Sequence, residues 1–330
     1  MSEQSPPAVF TRLEEVCRAH KPRLIFPEGN DPRVRAAAER AAAAGLAQPI
    51  LLGSDLGQAA TGVSHFSPEV SPHFQAYSEA FHQLRKHKGV DLPGAAEAMR
   101  NPLVFAAMAV RQGDADGTIG GAVNATADIV RAALQVIGTA PDQSMVSSFF
   151  LMQLPPPQNR AVIFADCGLV VEPSPSELAE IAIASARSLR LLTGEEPRIA
   201  FLSFSTLGSA QHVRINATRE ALSLAKARAP EIAMDGELQF DAAMVSEIAE
   251  RKASGSPVAG QANVFVFPNL EAGNIGYKIA ERIGGAIAIG PTLQGLARPA
   301  NDLSRGCSAE DIYKMIAVTG AQAAADQATV

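Results

Sequence analysis

The sequence predicts an α/β fold in which parallel strands are covered by helices. Three observations lead to this prediction. Short apolar runs alternate with helical stretches, glycine- and proline-containing turns separate them, and 47% hydrophobic against 19% charged residues supply a large core. A chain of 330 residues also has room for two domains of ordinary size.

The first strand, helix and strand lie between Arg23 and Gly53. "RLIF" is predicted as a buried strand and Pro27 to Pro32 as a loop. The alanine-rich segment is predicted as a helix that ends near Gly45, and "PILLG" begins the next strand. This spacing is typical of a right-handed βαβ unit, so we expect the two strands to be parallel.

The same alternation continues to the end of the chain. Helices are predicted in "TADIVRAALQVIG" and "PSELAEIAIASARSLRLLTG", and strands in "RAVIFADC", "RIAFLSFS" and "ANVFVFP". A run of three prolines, Pro155 to Pro157, interrupts the pattern near the middle. It indicates a hairpin or crossing connection within the second half, with a linker as the alternative.

Net charge, cysteine usage and missing motifs argue against several classes of protein and of binding site. A net charge of −6 argues against a nucleic-acid surface, and no apolar stretch approaches the ~18 residues of a membrane helix. The start, "MSEQSPPAVF", lacks the features of a signal peptide, and three scattered cysteines form neither a disulfide framework nor a metal pattern. We therefore expect a cytoplasmic protein. G-x-G, Gly-Lys, HExxH and G-x-S-x-G are absent, which removes the common dinucleotide, P-loop, zinc and serine-hydrolase signatures.

"NDLSRGCSAED", residues 301–311, concentrates polar groups before a predicted helix. Ser308 and Asp311 have the spacing of a capping box, which makes Asp311 structural on that interpretation. Capping leaves Ser304 and Arg305 unexplained. A hydroxyl and a guanidinium beside a helix N-terminus can stabilise developing negative charge, and a nearby carboxylate can act as a general base.

Further polar residues leave alternatives open. Arg131, in a nearly all-apolar helix, is either a snorkelling side chain or a donor for a phosphate or carboxylate. Lys278 and Arg282 share a helix face, which suits a common anion or a solvated surface. The hydroxyl-rich turn "SFSTLGSA" (Ser203 to Ala210) offers backbone N–H groups that could bind a phosphate.

Several longer segments of the sequence resemble motifs of the phosphate acetyl/butyryl transferase family. They include "RLIFPEGNDPRV", "LRKHKG", "DGTIGGAVNATADIVRAALQVIG", "LSFSTLGSA", "DGELQFDAA", "FPNLEAGNIGYKIAERI" and "ARPANDLSRGCSAEDI", and they occur in family order from about residue 22 to 325. The sequence departs from the family at Asn124, where histidine is common, and at Ala132, where proline is usual.

The resemblance implies an isocitrate-dehydrogenase-like α/β fold of two domains with mostly parallel sheets and an active-site cleft between them. Residues 1–142 with 291–330 would form one domain and residues 143–290 the other. The implied reaction interconverts acetyl-CoA plus phosphate with acetyl phosphate plus CoA by direct transfer in a ternary complex. No resident cofactor or metal is implied, since CoA is a substrate, and the family norm is a homodimer.

The resemblance also implies roles for individual residues. Asp311 would take the CoA thiol proton, Arg305 would bind the phosphoryl group, and Ser304 would hydrogen-bond the tetrahedral oxyanion. The substrate-binding residues carried over from their motifs are Arg85, Arg131, Arg282, Thr126 and Lys278. Cys167 and Cys307 are left as structural residues.

Three other functions are alternatives to acetyl transfer. The nearest is a butyryl or propionyl transferase of the same family. A NAD-dependent decarboxylating dehydrogenase of similar fold would need carboxylates for a divalent metal, which this arginine-rich set does not supply. A non-catalytic acyl-CoA-binding or regulatory module would not need Ser304, Arg305 and Asp311 together.

Overall fold

The computed structural model describes residues 7–54, 57, 58 and 60–328. Most of the stretch predicted to lack a signal peptide, residues 1–6, lies outside them. The described residues divide into two compact units. The first comprises residues 10–144 and 296–328, and the second residues 7–9 and 145–295. The predicted domain boundaries at 142 and 291 stay a prediction, because compactness alone does not test independent folding.

Eleven strands and twelve α-helices occur within the described ranges. The strands are β1 (Arg23–Phe26), β2 (Gln48–Leu52), β3 (Ser64–Phe66), β4 (Gly117–Gly120), β5 (Ser147–Gln153), β6 (Ala161–Ala165), β7 (Arg198–Leu202), β8 (Ala233–Leu238), β9 (Val264–Val266), β10 (Ile287–Gln294) and β11 (Ala300–Asp302). The helices are α1 (Ala8–His20), α2 (Pro32–Ala43), α3 (Phe74–Arg85), α4 (Leu92–Met99), α5 (Pro102–Gln112), α6 (Thr126–Val136), α7 (Pro175–Thr193), α8 (Val213–Arg228), α9 (Phe240–Met244), α10 (Ser246–Lys252), α11 (Leu270–Arg282) and α12 (Ala309–Ala328).

The first unit contains a five-stranded sheet in the order β11-β4-β1-β2-β3. Every pairing in it is parallel, with Asp302 opposite Gly120 and Leu24 opposite Gly117. The predicted parallel βαβ unit is therefore confirmed. Because parallel strands point the same way, the residues that follow β1, β4 and β11 all emerge at one edge of the sheet.

The second unit contains a six-stranded sheet in the order β10-β5-β6-β9-β7-β8. Strands β6, β9, β7 and β8 are parallel, whereas β5 is antiparallel to both β6 and β10. The three prolines lie in the turn between β5 and β6, so the hairpin interpretation is confirmed over the linker.

Local signals explain why the helices begin where they do. In α2 the side chain of Asp31 accepts the backbone N–H of Arg33, and Pro32 occupies the first turn, where no N–H is needed. In α7 the side chains of Ser174 and Glu177 form a reciprocal capping box, and Gly194 ends the helix in the left-handed conformation. Such caps satisfy backbone groups that the helices themselves leave unpaired.

Each unit has its own apolar core. Phe105, Met99 and Met108 pack in the first, and Phe164, Phe265 and Met152 pack in the second. Within the described residues, no helix combines the length and apolarity that crossing a bilayer would require.

Candidate active site

The loops that follow β1, β4 and β11 meet at the carboxyl edge of the first unit's sheet. They contain Glu28, the segment from Gly121 to Ala125, and the segment from Leu303 to Cys307. Ligands of open α/β sheets commonly bind at such an edge. The predicted residues Thr126, Ser304 and Arg305 all lie on these loops or at the helix that follows.

Glu28 shapes the loop after β4. Its side chain is buried, and its carboxylate accepts the backbone N–H groups of Ala122 (2.7 Å), Val123 (3.1 Å) and Asn124 (2.7 Å), as well as the side-chain amide of Asn124 (2.7 Å). Successive N–H groups of this kind form an anion-binding concavity. Here the protein's own carboxylate fills it.

Asp302, the last residue of β11, holds the same loop from the other side. The hydroxyl of Thr126 donates to Asp302 Oδ2 at 2.6 Å, whereas Oδ1 has no hydrogen-bond partner in the described part of the chain. The Asp302 side chain is fully buried, and this burial raises its pKa to about 6 despite the Thr126 hydrogen bond. Thr126 thus joins the first turn of α6 to the Ser304 loop.

Gly121 has to be glycine for two reasons. Its φ is +104°, in the region that side chains rarely adopt, and a Cβ there would lie 2.1 Å from Asp302 Oδ1. The glycine lets the loop approach the buried carboxyl group closely.

Ser304 and Arg305 are exposed at the turn after β11. Ser304 Oγ accepts the N–H of Gly306 at 3.3 Å, and the carbonyl of Ser304 accepts the N–H of Cys307 at 2.9 Å. Among the described residues, no hydrogen bond or ion pair uses the hydroxyl proton of Ser304 or the guanidinium of Arg305. Both donors therefore remain available to a ligand.

Asp311 takes part in the predicted capping box. Ser308 Oγ accepts the backbone N–H of Asp311 at 3.2 Å, and Asp311 Oδ2 accepts the N–H (2.9 Å) and the hydroxyl (2.8 Å) of Ser308. The cap at the start of α12 is thus confirmed. Both bonds that the carboxylate accepts end on Oδ2, so within the described structure Oδ1 is left for other chemistry.

The two predicted arginines of this unit differ in their surroundings. Arg131 is on the exposed face of α6, where 60% of its side chain is accessible and its guanidinium pairs with Asp128 at 2.6 Å. The side chain is therefore exposed, as the snorkelling interpretation expects, and the alternative role as a donor for a phosphate or carboxylate stays a prediction. Arg85 is the half-buried last residue of α3, and the described residues supply no hydrogen bond or ion pair to its guanidinium.

Lys278 and Arg282 belong to the second unit, where both are exposed on α11. Lys278 donates to Asn274 at 2.6 Å, and Arg282 pairs with Glu281 at 3.3 Å. Each cation thus has its own acceptor on the same helix. The roles assigned to these two residues, as to the others of the predicted site, stay predictions.

The hydroxyl-rich turn "SFSTLGSA" of the second unit is bonded to a carboxylate of the protein itself. Glu237 Oε1 accepts the hydroxyl of Ser205 (2.7 Å) and the N–H of Gly208 (3.0 Å), while Arg219 forms a bidentate pair with the same carboxylate (2.7 and 3.0 Å). Burial would raise the pKa of Glu237, but Arg219 and Ser205 hold it at about 2. A permanent internal anion therefore occupies this turn.

The cysteines are poor nucleophiles here. Cys17, Cys167 and Cys307 are all buried, and burial raises the pKa of Cys167 well above its ordinary value, that of Cys17 to about 12, and that of Cys307 in the same direction. A protonated thiol is weakly nucleophilic, so these side chains suit packing better than acyl transfer.

Sequence reasoning missed Glu28 and Asp302 as parts of the site. Both stood in motifs that were recognised, "PEGND" and "NDLSRG". The only available signal was an acidic residue directly after, or at the end of, a buried strand.

Comparison with known proteins gives a consistent result. The model of a family described as phosphate acetyl/butaryl transferase matches residues 8–320. A phosphate acetyltransferase of Paracoccus denitrificans is 52% identical over 314 residues, which covers 94% of this chain and 98% of that protein. Another from Thermoanaerobacterium thermosaccharolyticum is 45% identical, with 96% and 99% covered. The crystal structure of a phosphotransacetylase from Streptococcus pyogenes matches with a TM-score of 0.90 and 46% identity, covering 97% of this chain and 99% of that one.

Proposed function

This chain belongs to the phosphate acetyl/butaryl transferase family, and from that membership we propose that it interconverts acetyl-CoA plus phosphate with acetyl phosphate plus CoA. One observation carries the proposal. The Ser304 hydroxyl and the Arg305 guanidinium both have hydrogen-bond donors without an acceptor in the described structure, and both lie at the carboxyl edge of the sheet beside the start of α12. Acyl transfer requires such donors, because negative charge develops on the attacked carbonyl and is carried by the phosphate.

In the direction of acetyl-CoA formation, the CoA sulfur attacks the carbonyl carbon of acetyl phosphate. The thiol has a pKa of ~8.5 and is mostly protonated at pH 7, so a base must accept its proton as the carbon–sulfur bond forms. We assign this role to Asp311, whose Oδ2 is held by Ser308 while Oδ1 can receive the proton. The carbon–oxygen bond to phosphate then breaks, and phosphate leaves.

Ser304 and Arg305 act on the charges of this step. The Ser304 hydroxyl donates to the oxyanion of the tetrahedral intermediate, and the Arg305 guanidinium binds the phosphoryl group. Arg85, Arg131, Arg282, Thr126 and Lys278 bind the remaining parts of the substrates. For Thr126 this means accepting rather than donating a hydrogen bond, because its proton is directed at Asp302.

The proposal also covers the setting of the reaction. The transfer needs no resident cofactor or metal, since CoA enters and leaves as a substrate. The three free cysteines suit a reducing cytoplasm. A homodimer is proposed on family grounds, and the mass measured by light scattering should be twice the 34.5 kDa of one chain.

The test is formation of the acetyl-CoA thioester, followed by its absorbance, from acetyl phosphate and CoA with no added cofactor. Propionyl and butyryl phosphates run in parallel decide the acyl preference. Activity confined to butyryl phosphate would favour the nearest alternative, and reduction of a nicotinamide with a hydroxy acid would favour the dehydrogenase. If none of the three acyl phosphates gives a thioester, the proposed transferase activity is rejected.

A further inference from the structure

We propose that Arg33 is a positioning residue of the acyl-transfer site, which fixes the Ser304–Cys307 loop against the loop after β4. This inference rests on the proposed function for its kinetic consequence, but not for its geometry. Arg33 lies in the first turn of α2, in the segment that follows β1. It does not belong to the predicted set of substrate-binding arginines.

The orientation of the guanidinium is set by its own helix cap. Asp31 Oδ1 accepts both the backbone N–H (2.8 Å) and the Nε–H (3.1 Å) of Arg33, and Oδ2 accepts an Nη2–H at 2.8 Å. The side-chain hydrogen bond with Arg33 lowers the pKa of Asp31, so the carboxylate stays charged. A bidentate pair of this kind fixes the plane of the guanidinium.

The remaining donors of Arg33 reach two other loops. Nη1 donates to the carbonyl oxygens of Arg305 (2.8 Å) and Cys307 (2.9 Å), and Nη2 donates to the carbonyl oxygen of Ala122 (2.9 Å). A guanidinium has five N–H donors. With two side-chain bonds to Asp31 and three to carbonyls, all of them are used. No donor remains for a substrate, so Arg33 acts through the backbone it holds.

The loop that Arg33 holds carries the reacting side chains. Arg305 is fixed at its carbonyl oxygen while its own guanidinium remains free, and Ser304 lies one residue before it. On the other side, Ala122 is held at its N–H by Glu28 and at its carbonyl by Arg33. The side chain therefore connects the loop that bears Ser304 and Arg305 with the loop that leads into Thr126. A displacement of ~1 Å in such a constellation costs on the order of 100-fold in rate.

Lysine cannot replace this arrangement. Its ammonium is a point charge with three donors and lacks the planar fork that reaches Asp31 and three carbonyls together. A role based on charge alone would tolerate Arg33→Lys, whereas a positioning role would not.

The first experiment measures loop order without reference to catalysis. Cys307 is 8% exposed and its carbonyl is one of the acceptors of Arg33, whereas Cys17 and Cys167 are fully buried in other elements. Labelling with a thiol reagent, located by mass spectrometry, should be several-fold faster at Cys307 in Arg33→Ala and Arg33→Lys. The rates at Cys17 and Cys167 serve as internal references and should not change.

The second experiment measures turnover. Arg33→Ala should lower kcat on the order of 100-fold with much smaller changes in KM, and guanidinium ion, but not methylammonium at equal concentration, should restore part of it. About a third of the Arg33 side chain is exposed, so the vacated space opens to solvent. The matched control is Arg23→Ala at the start of β1, which removes a guanidinium bonded to Asp116 and to the carbonyl of Gly113.

The outcomes separate the two proposals. Unchanged Cys307 labelling in both Arg33 variants would overturn the positioning role, as would wild-type kcat in Arg33→Ala, equal rescue by methylammonium, or an Arg23→Ala enzyme equally impaired. An inactive wild type would instead reject the proposed function, and the labelling rates would still decide whether Arg33 orders the loop.

Discussion

The environment of Asp302 disfavours the charged form of its carboxyl group. The side chain is fully buried, one oxygen has no partner in the described structure, and its pKa is raised to about 6. A carboxyl with a folded pKa above its unfolded value of ~3.9 binds protons more tightly in the native state. The contribution of Asp302 to stability is therefore greatest below the unfolded pKa and is lost as the pH rises through about 6.

Asp302→Asn should remove this pH dependence, because the amide stays neutral and can still accept the Thr126 hydroxyl. The melting temperature of the variant minus that of the wild type should rise between about pH 4 and 6 and then level off. The corresponding free energy is on the order of 3 kcal/mol, from about two pKa units. Glu69→Gln is the control, because Glu69 is an exposed carboxylate in the same unit and its substitution should change stability little. A flat curve for Asp302→Asn would contradict the burial argument.

A single substitution can separate the capping contacts of Asp311 from its proposed role as general base. Asparagine can still accept the N–H of Ser308 through its carbonyl oxygen but cannot take a proton. Asp311→Asn should therefore lower kcat by roughly 100-fold or more while the melting temperature changes little.

Ser304→Ala and Arg305→Ala should also lower turnover strongly. Cys307→Ala should remain close to wild type, and an inactive Cys307→Ala enzyme would refute the direct-transfer mechanism.

At the scale of elements, the turn after β7 depends on a carboxylate supplied by β8. The Glu237 side chain is 1% exposed and satisfies the Ser205 hydroxyl, the N–H of Gly208 and the guanidinium of Arg219. Removing one partner of a buried charged network leaves the others unsatisfied. The folded pKa of about 2 is below the unfolded value of ~4.3, so this stabilisation is present above pH ~4.3 and is lost as the pH falls toward 2.

Glu237→Gln should destabilise the protein by on the order of 2 kcal/mol at pH 7, measured by denaturant unfolding. The deficit should shrink on acidification, since the wild type then loses the same interactions. Glu196→Gln is the matched control, because Glu196 also pairs with an arginine at 2.6 Å but at an exposed position. It should change stability little. Equal effects for the two variants would mean that burial of Glu237 does not matter.

The elements that could be predicted from the sequence are those defined by local pattern. β1, α2, α6, α7 and the cap of α12 all follow from runs and caps within a few residues. The contacts of the buried carboxylates Glu28 and Asp302 could not be predicted, because their partners are distant along the chain. Glu28 contacts residues 94 to 96 positions away, and Asp302 contacts Thr126 at a separation of 176. Composition cannot show which carboxylate bonds to which loop, because only the order of the strands in the sheet brings the two together.

At the scale of the whole molecule, the family and the α/β class were predictable because motifs extend over nearly the full chain. The match to residues 8–320 and the two sheets confirm both. The predicted substrate-binding residues are harder to relate to one another, because they come from distant segments of the chain. Arg85 and Arg131 lie in one unit and Arg282 in the other, so no local pattern relates them. Their shared role stays a prediction.

Glu28 and Glu237 have one consequence for how the protein responds to its medium. Each carboxylate occupies backbone donors that could otherwise have held a phosphate, so we expect exposed guanidinium and ammonium groups to recognise the anionic substrates. Attraction at such groups is screened within about 10 Å at 0.1 M salt. The KM values for CoA and acetyl phosphate should therefore climb with added potassium chloride, while the rate at saturating substrate changes far less. A KM insensitive to salt would mean that buried donors hold the substrates after all. Ionic conditions would thus govern how readily this protein is saturated.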